Sequence, residues 1–212
     1  MDKRSKMKFI KKIVVGAFLL GSCNVMALDL EEGNHYQVLP ENVQFQANKQ
    51  VTKIFSVNCP FCYKYEKSVV PGMVGNLPSG VDYDAYHISS KSPFGAEASE
   101  VLAVAKVLSE DKYKAAKMAL YARIHDKKAK FTSGDELIRF GLSQAGISQE
   151  EFNRLKGTPE VKQLLAKWDQ GIAIAKIQGI PALVVNGKYL INTKSIRSMP
   201  MLDEMILELS KK

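Results

Sequence analysis

Residues 50–65, QVTKIFSVNCPFCYKY, contain the pattern that decides the fold. Their first half, Gln50 to Val57, alternates apolar and polar side chains and is rich in β-branched residues, which predicts a strand. The strand leads directly into Cys59-Pro60-Phe61-Cys62, and from Pro60 to about Asn76 the pattern becomes helical. Proline suits the first turn of a helix because it lacks an N–H that would have no partner there. The sequence therefore predicts a strand, a cysteine pair and a helix in immediate succession.

The cysteine pair allows three interpretations: a structural disulfide, a metal site or a reactive centre. A zinc site needs four ligands, usually from a second CxxC or from paired histidines, and the sequence has neither. Disulfide exchange needs a thiolate, and an ordinary cysteine with a pKa of about 8.5 is mostly protonated at neutral pH. At the predicted start of the helix, Cys59 faces unpaired N–H groups and the positive end of the helix dipole, which stabilise the anion. Cys62 lies one turn inside, where poor exposure suits a resolving cysteine that closes an internal disulfide with Cys59.

The N-terminal sequence predicts export. Residues 1–12 are strongly basic, Ile13 to Gly21 are apolar, and a short segment with small residues follows up to Ala27. This order is typical of a signal peptide over residues 1–27, cleaved after Ala27, and the apolar run is shorter than the roughly 20 residues of a membrane-spanning helix. Met7 is an alternative start. A second alternative is a lipoprotein modified at Cys23, because LGSC resembles a lipobox. Both forms reach an oxidising compartment.

The net charge also depends on this leader. The full chain has 30 basic and 22 acidic residues. Without residues 1–27 the counts become 24 and 21, so the net charge falls from +8 to +3. Most of the basicity therefore belongs to the targeting signal and does not indicate a nucleic-acid-binding surface. The remaining 185 residues are enough for one hydrophobic core.

The rest of the chain alternates between strand and helix signals. Further strands are predicted at Tyr36–Leu39, Val81–Ser89, Ala182–Asn186 and Tyr189–Thr193, the last two joined by an Asn186-Gly187 turn. Helices are predicted at Ala96–Leu108, at Tyr113–Ile124, after capping boxes at Ser133 and Ser148, from Thr158-Pro159 to Gln178, and at Met201–Leu209. Pro71 should interrupt the helix that follows the cysteines.

This order of elements predicts the fold class. A βαβ half and a ββα half, separated by helices, describe an α/β, thioredoxin-like fold with an inserted all-helical domain. We expect the thioredoxin-like domain at residues 28–92 and 160–212, and the helical insert at residues 93–159.

Two segments resemble the DsbA family of periplasmic thiol oxidases. Phe55 to Tyr63 resembles the active-site segment of the family. Gly179 to Tyr189, which starts with Gly-Ile-Pro-Ala, resembles its cis-proline loop and hairpin. The Pro60-Phe61 dipeptide is closer to the DsbL branch than to DsbA itself. The resemblance implies that Pro181 is a cis proline packed against the redox disulfide, and that Ile180 helps to select the peptides that dock beside it.

Two residues depart from the DsbA pattern. Phe61 stands where DsbA has a histidine, so backbone groups must contribute more to the stability of the Cys59 thiolate. Lys53 stands where DsbA has a buried glutamate, and a cation there would tune the site towards the thiolate. The alternative is that the Lys53 ammonium group extends to the solvent. We expect His35, His87 and His125 to lie on the surface or in the core and not to bind a metal.

The resemblance implies an oxidase that donates a Cys59–Cys62 disulfide to reduced exported proteins and needs no cofactor beyond that disulfide. It also implies reoxidation by a DsbB-like inner-membrane quinone reductase, and the DsbL-like dipeptide suggests a dedicated client such as a periplasmic sulfotransferase. We expect a monomer that binds no nucleic acid.

One alternative function is a periplasmic reductase or isomerase, although residues 28–49 are too few for the dimerisation domain of an isomerase. The other is a non-enzymatic module in which the pair is a structural disulfide or binds copper.

Overall fold

The computed structural model describes residues 29–212. The predicted signal peptide, its cleavage site after Ala27, the alternative start at Met7 and the alternative lipidation site at Cys23 lie outside these residues. Between residues 29 and 212, no helix is both long enough and apolar enough to cross a membrane.

A five-stranded mixed sheet forms the centre of the molecule, in the order β1-β5-β4-β2-β3. The strands are β1 (Tyr36–Val38), β2 (Gln50–Phe55), β3 (Asp82–His87), β4 (Ala182–Val185) and β5 (Tyr189–Ile191). β2 and β3 are parallel, and the other neighbours are antiparallel. The predicted hairpin is confirmed, because Asn186 and Gly187 join β4 to β5 with positive φ at both residues, as a type I′ turn requires.

The helices follow the predicted order. In the described part of the chain they are α1 (Pro60–Ser68), α2 (Val70–Gly75), α3 (Gly95–Leu108), α4 (Glu110–Tyr121), α5 (Gly134–Ala145), α6 (Gln149–Leu155), α7 (Pro159–Gln178) and α8 (Met199–Ser210). A π-helical turn, Ala122–Asp126, extends α4. The predicted caps are confirmed, because Ser133, Ser148 and Thr158 each accept a backbone N–H in the first turn of their helix. Pro71 lies in the first turn of α2, after the predicted interruption.

Several element boundaries differ from the prediction, and three of these differences have a local reason. β2 ends before Val57 because the backbone groups of Val57 bind histidine side chains instead of a neighbouring strand. α4 begins earlier than predicted because Ser109 accepts the N–H of Lys112 and caps the helix there. α8 also begins earlier, because Ser198 caps it in the same way.

Two hydrophobic clusters cover the sheet, and alternate residues of β4 and β5 belong to different clusters, as expected from the pleat of a strand. Val184 and Leu190 belong to the cluster that contains α3 to α7, whereas Leu183 and Ile191 belong to the cluster that contains α8. Helices α3 to α6, together with the π-helical turn, form the helical insert between β3 and α7. The insert therefore packs on the same side of the core as the end of β2, where the cysteines lie.

Candidate functional site

The cysteine pair lies where β2 leads into α1. Cys59 is the residue before the helix, and Pro60 is its first residue. Cys59 Sγ accepts the N–H of Cys62 at 3.3 Å. Cys59 is 5% exposed and Cys62 is completely buried, and both side chains are thiols. An incoming sulfur can therefore approach Cys59 but not Cys62.

The surroundings of the two thiols shift their pKa values in opposite directions. The pKa of Cys59 is lowered to about 6, chiefly by a hydrogen bond from the Cys62 thiol, while burial opposes this shift. The backbone N–H groups of Cys62 and Phe61 and the positive charge of Lys91 lower it further. Burial is the main cause of the raised pKa of Cys62. Near neutral pH, Cys59 is therefore a thiolate and Cys62 a protonated thiol.

The segment that precedes β4 lies beside Cys59. The Ile180-Pro181 peptide bond is cis, as the family resemblance implies. The protonated Cys59 thiol donates to the carbonyl oxygen of Ile180 at 3.5 Å. Ile180 and Pro181 are partly exposed, and Phe61, in the first turn of α1, is 67% exposed. The residues around Cys59 therefore present apolar surface to the solvent.

A tight turn places Cys59 in front of the helix. The N–H of Cys59 donates to the carbonyl oxygen of Ser56 at 3.1 Å, which closes the turn over Val57 and Asn58. Asn58 Nδ2 donates to the carbonyl oxygens of Lys91 (3.0 Å) and Pro93 (2.7 Å). These two hydrogen bonds connect the turn to the segment that follows β3. That segment carries Lys91, whose positive charge therefore acts on Cys59.

Lys53 does not extend to the solvent, so that alternative is wrong. Its side chain is completely buried and forms an ion pair with Glu66, whose other carboxylate oxygen lies 2.6 Å from Lys117 Nζ. Burial lowers the pKa of Lys53, and the charge of Glu66 opposes that effect. Glu66 lies one turn after Cys62 on α1, so the pair faces the buried cysteine. The influence of Lys53 on the redox site stays a prediction.

Two histidines contact the turn before Cys59, and no pattern in the sequence indicated these contacts. His87 is buried at the end of β3, and its Nε2 accepts the N–H of Val57 at 3.1 Å. His125 lies on the π-helical turn, and its Nε2 donates to the carbonyl oxygen of Val57 at 2.8 Å. These contacts span 30 and 68 residues of sequence, so no local pattern could reveal them.

Among the described residues, no group of three or more His, Cys, Asp or Glu side chains is placed to hold a metal ion. His35 lies far from the other two histidines along the chain and accepts the N–H of Glu31.

Comparisons with known proteins match the chain to one family. The family model for the DSBA-like thioredoxin domain matches residues 80–204. Thiol:disulfide interchange protein DsbL of Escherichia coli O6:H1 is 38% identical over 227 aligned residues, which cover 100% of both chains. Thiol:disulfide interchange protein DsbA of Salmonella typhimurium is 30% identical over 198 residues, which cover 92% of this chain and 91% of the relative.

A solved structure matches the fold described above. The crystal structure of DsbL from Salmonella enterica serovar Typhimurium has a TM-score of 0.81 and 39% sequence identity, and it covers 86% of this chain and 98% of its own. Both DsbL proteins are more similar to this chain than the DsbA relative is. The full-length relative also aligns across the cysteine pair, which precedes the segment matched by the family model. The chain therefore belongs to the DsbA-like family of thiol:disulfide oxidoreductases and resembles its DsbL members.

Proposed function

We propose that this protein is a periplasmic dithiol–disulfide oxidase that donates a Cys59–Cys62 disulfide to newly exported proteins. The observation that supports this direction most is the pKa of Cys59, lowered to about 6. A stabilised thiolate stabilises the reduced protein, and the more stable the reduced form, the more readily the disulfide is given away. The N-terminal sequence, typical of a signal peptide, supports the periplasmic location.

The exchange proceeds through a mixed disulfide. A client thiolate attacks Cys59 Sγ, the Cys59–Cys62 bond breaks, and the Cys62 sulfur leaves as a thiolate that takes up a proton. A second client thiolate then attacks the client sulfur bonded to Cys59, which releases the Cys59 thiolate and leaves a disulfide in the client. Two electrons pass from the client to the cysteine pair, with no cofactor beyond that pair. Cys59 is the attacked sulfur because Cys62 is buried.

The reduced protein needs an oxidant to complete the cycle. We propose a DsbB-like inner-membrane quinone reductase, as the family resemblance implies. Ile180 and Pro181 would bind the segment of a client or of this partner that carries the reacting cysteine, because their backbone lies beside Cys59.

The surface near Cys59 favours a restricted set of clients. Phe61 is exposed, the exposed Lys64 follows it on α1, and the exposed Lys91 lies in the adjoining loop. An apolar and basic surface favours client segments in which the cysteine is flanked by apolar and acidic residues. A dedicated client such as a periplasmic sulfotransferase is consistent with this restriction.

Incubation of the purified, disulfide-bonded protein with a reduced, unfolded ribonuclease tests the proposal. We expect one client disulfide per molecule of oxidase, and a glutathione equilibrium far more oxidising than that of thioredoxin. A Cys62→Ala variant whose Cys59 first carries a mixed disulfide with thionitrobenzoate should trap clients on Cys59, because the client thiolate displaces that aromatic thiolate, and a Cys59→Ala variant should trap none. If the protein leaves the ribonuclease reduced, or if its glutathione equilibrium matches that of thioredoxin, the oxidase assignment is wrong and a reductase is favoured.

A further inference from the structure

Val57 is held on both sides of its backbone by histidine side chains. It is the second residue of the turn that presents Cys59, and it is completely buried. Its N–H donates to His87 Nε2 at 3.1 Å, and its carbonyl oxygen accepts from His125 Nε2 at 2.8 Å. The central groups of a tight turn point away from the turn itself, so they need partners from elsewhere when they are buried.

The chemistry of Val57 determines which ring nitrogens carry hydrogen. Because the N–H of Val57 is a donor, His87 Nε2 accepts, and His87 Nδ1 carries the proton that it donates to Ser99 Oγ at 2.7 Å. Because the Val57 carbonyl is an acceptor, His125 Nε2 carries a hydrogen. Both the neutral Nε2–H tautomer and the protonated form of His125 have this hydrogen. The bond from His125 therefore persists whether or not the ring is protonated.

His125 belongs to the helical insert, whereas Val57 belongs to the thioredoxin-like part of the chain. The His125 ring stacks on Tyr63, the residue after Cys62, with centroids 5.7 Å apart and an interplanar angle of 24°. Tyr63 Oη donates to Asp126 at 2.6 Å, which holds the π-helical turn against α1. Tyr121 packs on the other members of this group, 5.0 Å from Tyr63 and 6.0 Å from His125. The insert therefore contacts both the turn before Cys59 and helix α1 after it.

We infer that His125 is a positioning residue for Cys59. By holding the Val57 carbonyl, it fixes the turn in the orientation in which Cys59 Sγ receives the N–H groups at the start of α1. His87 holds the other side of the same residue from within the sheet. The insert thereby contributes to the reactivity of the cysteine through the backbone of Val57. The inference rests on the proposed function, in which Cys59 is the attacked sulfur.

Three single variants separate the hydrogen bond from the ring stack. His125→Phe keeps an aromatic ring against Tyr63 and Tyr121 but has no N–H. His125→Gln loses the ring but keeps an amide N–H of similar reach. His35→Phe is the matched control, because it removes a histidine whose contact is with Glu31. The readouts are the ultraviolet absorbance of the Cys59 thiolate against pH, the equilibrium with glutathione, and the thermal unfolding of the oxidised form.

We expect His125→Phe to raise the pKa of Cys59 by about one unit and to make the disulfide about tenfold less oxidising, since one pKa unit corresponds to a factor of about ten. His125→Gln should restore most of both values, and His35→Phe should change neither. The inference is overturned if His125→Phe titrates like the wild type, even if it unfolds more easily, or if His125→Gln shifts the pKa as much as His125→Phe. Neither the titration nor the equilibrium requires client oxidation, so a failure of the oxidase proposal would be seen separately.

Discussion

At the scale of single residues, Cys59 and Cys62 lie one helical turn apart and have opposite acidities. Cys59 precedes α1 and accepts N–H groups at the helix N-terminus, which stabilise an anion there. Cys62 lies inside the helix, completely buried, where the neutral thiol is favoured. The accessible sulfur of Cys59 is therefore the reactive thiolate, and the buried sulfur of Cys62 stays a protonated thiol.

The titration of the reduced protein should show this difference. We expect one thiolate to form with a midpoint at about pH 6, from Cys59, and no second thiolate from Cys62 below pH 9. The folded-state pKa of Cys59 is below the ordinary value of about 8.5, so its stabilising effect on the reduced fold is complete above about pH 8.5 and is lost as the pH falls through about 6. Rates of alkylation against pH measure the midpoint.

A matched variant tests the main cause of that shift. Cys62→Ala removes the thiol that hydrogen-bonds to Cys59 and should raise the midpoint. A wild-type midpoint near that of an ordinary cysteine would contradict the description of the site.

Phe61 is the most exposed of the large apolar side chains described, at 67%. Because it is already in solvent, Phe61→Ala should change the free energy of unfolding by no more than about 0.5 kcal/mol. If Phe61 becomes buried against clients, the same change should weaken client binding by about 1.5 to 3 kcal/mol. The dependence of the rate of mixed-disulfide formation on peptide concentration measures this loss. Val74→Ala, which alters a 40% exposed side chain on α2, is the control and should bind clients normally.

At the scale of elements, a buried group of three charges joins α1 to the sheet and to the insert. β2 contributes Lys53, α1 contributes Glu66, and α4 contributes Lys117. The exposed fractions of the three side chains are 0%, 9% and 6%. Burial alone would raise the pKa of Glu66, but the charges of Lys53 and Lys117 hold it below its usual value. The carboxylate therefore stays ionised between two ammonium groups.

Glu66→Gln should strongly destabilise the protein. The change leaves two buried ammonium groups without a counter-charge, and breaking a buried ion pair in this way costs about 3–5 kcal/mol. Urea unfolding of the oxidised protein measures the loss. The triple variant Lys53→Met, Glu66→Leu, Lys117→Met removes all three charges and should recover most of it. Glu208→Gln is the surface control, since its partner Lys211 is 57% exposed, and should cost about 1 kcal/mol or less.

At the scale of the whole molecule, polar contacts join the insert to the sheet beyond the redox site. Asp84 on β3 pairs with Lys106 on α3 at 3.2 Å and with Lys167 on α7 at 2.8 Å. Burial alone would raise the pKa of Asp84, but these two lysines hold it below its usual value. His87, on the same strand, is completely buried, and burial lowers its pKa to about 3. At neutral pH, β3 therefore carries a neutral His87 and an ionised Asp84.

The buried His87 should make the protein less stable in mild acid. Its folded-state pKa of about 3 is below the ordinary value of 6.5, so between these pH values the unfolded chain binds more protons than the folded one. The free energy of unfolding should fall by about 2 kcal/mol from pH 7 to pH 5 because of this group. Denaturant unfolding at both pH values measures the change. In His87→Gln this part of the pH dependence should disappear, and an unchanged slope in that variant would contradict the assignment.

Several local features could be predicted because short-range chemistry specifies them. The caps at Ser133, Ser148 and Thr158, the Asn186-Gly187 hairpin and the interruption near Pro71 depend on neighbouring backbone groups. The resemblance of two segments on either side of the insert was enough to indicate the family, which the comparisons then showed.

The sequence by itself determined that Cys59 stands between a strand and a helix, because alternation, proline placement and capping act over only a few residues. Only the tertiary structure decided what surrounds it. Packing buries Lys53 against Glu66 and Lys117, whereas its sequence also allowed an ammonium group in the solvent. His125 forms a hydrogen bond with Val57, 68 residues away in the sequence, because the insert packs against α1. Burial and pairing depend on which helix faces meet in the core, and no local pattern around either residue specifies its partner.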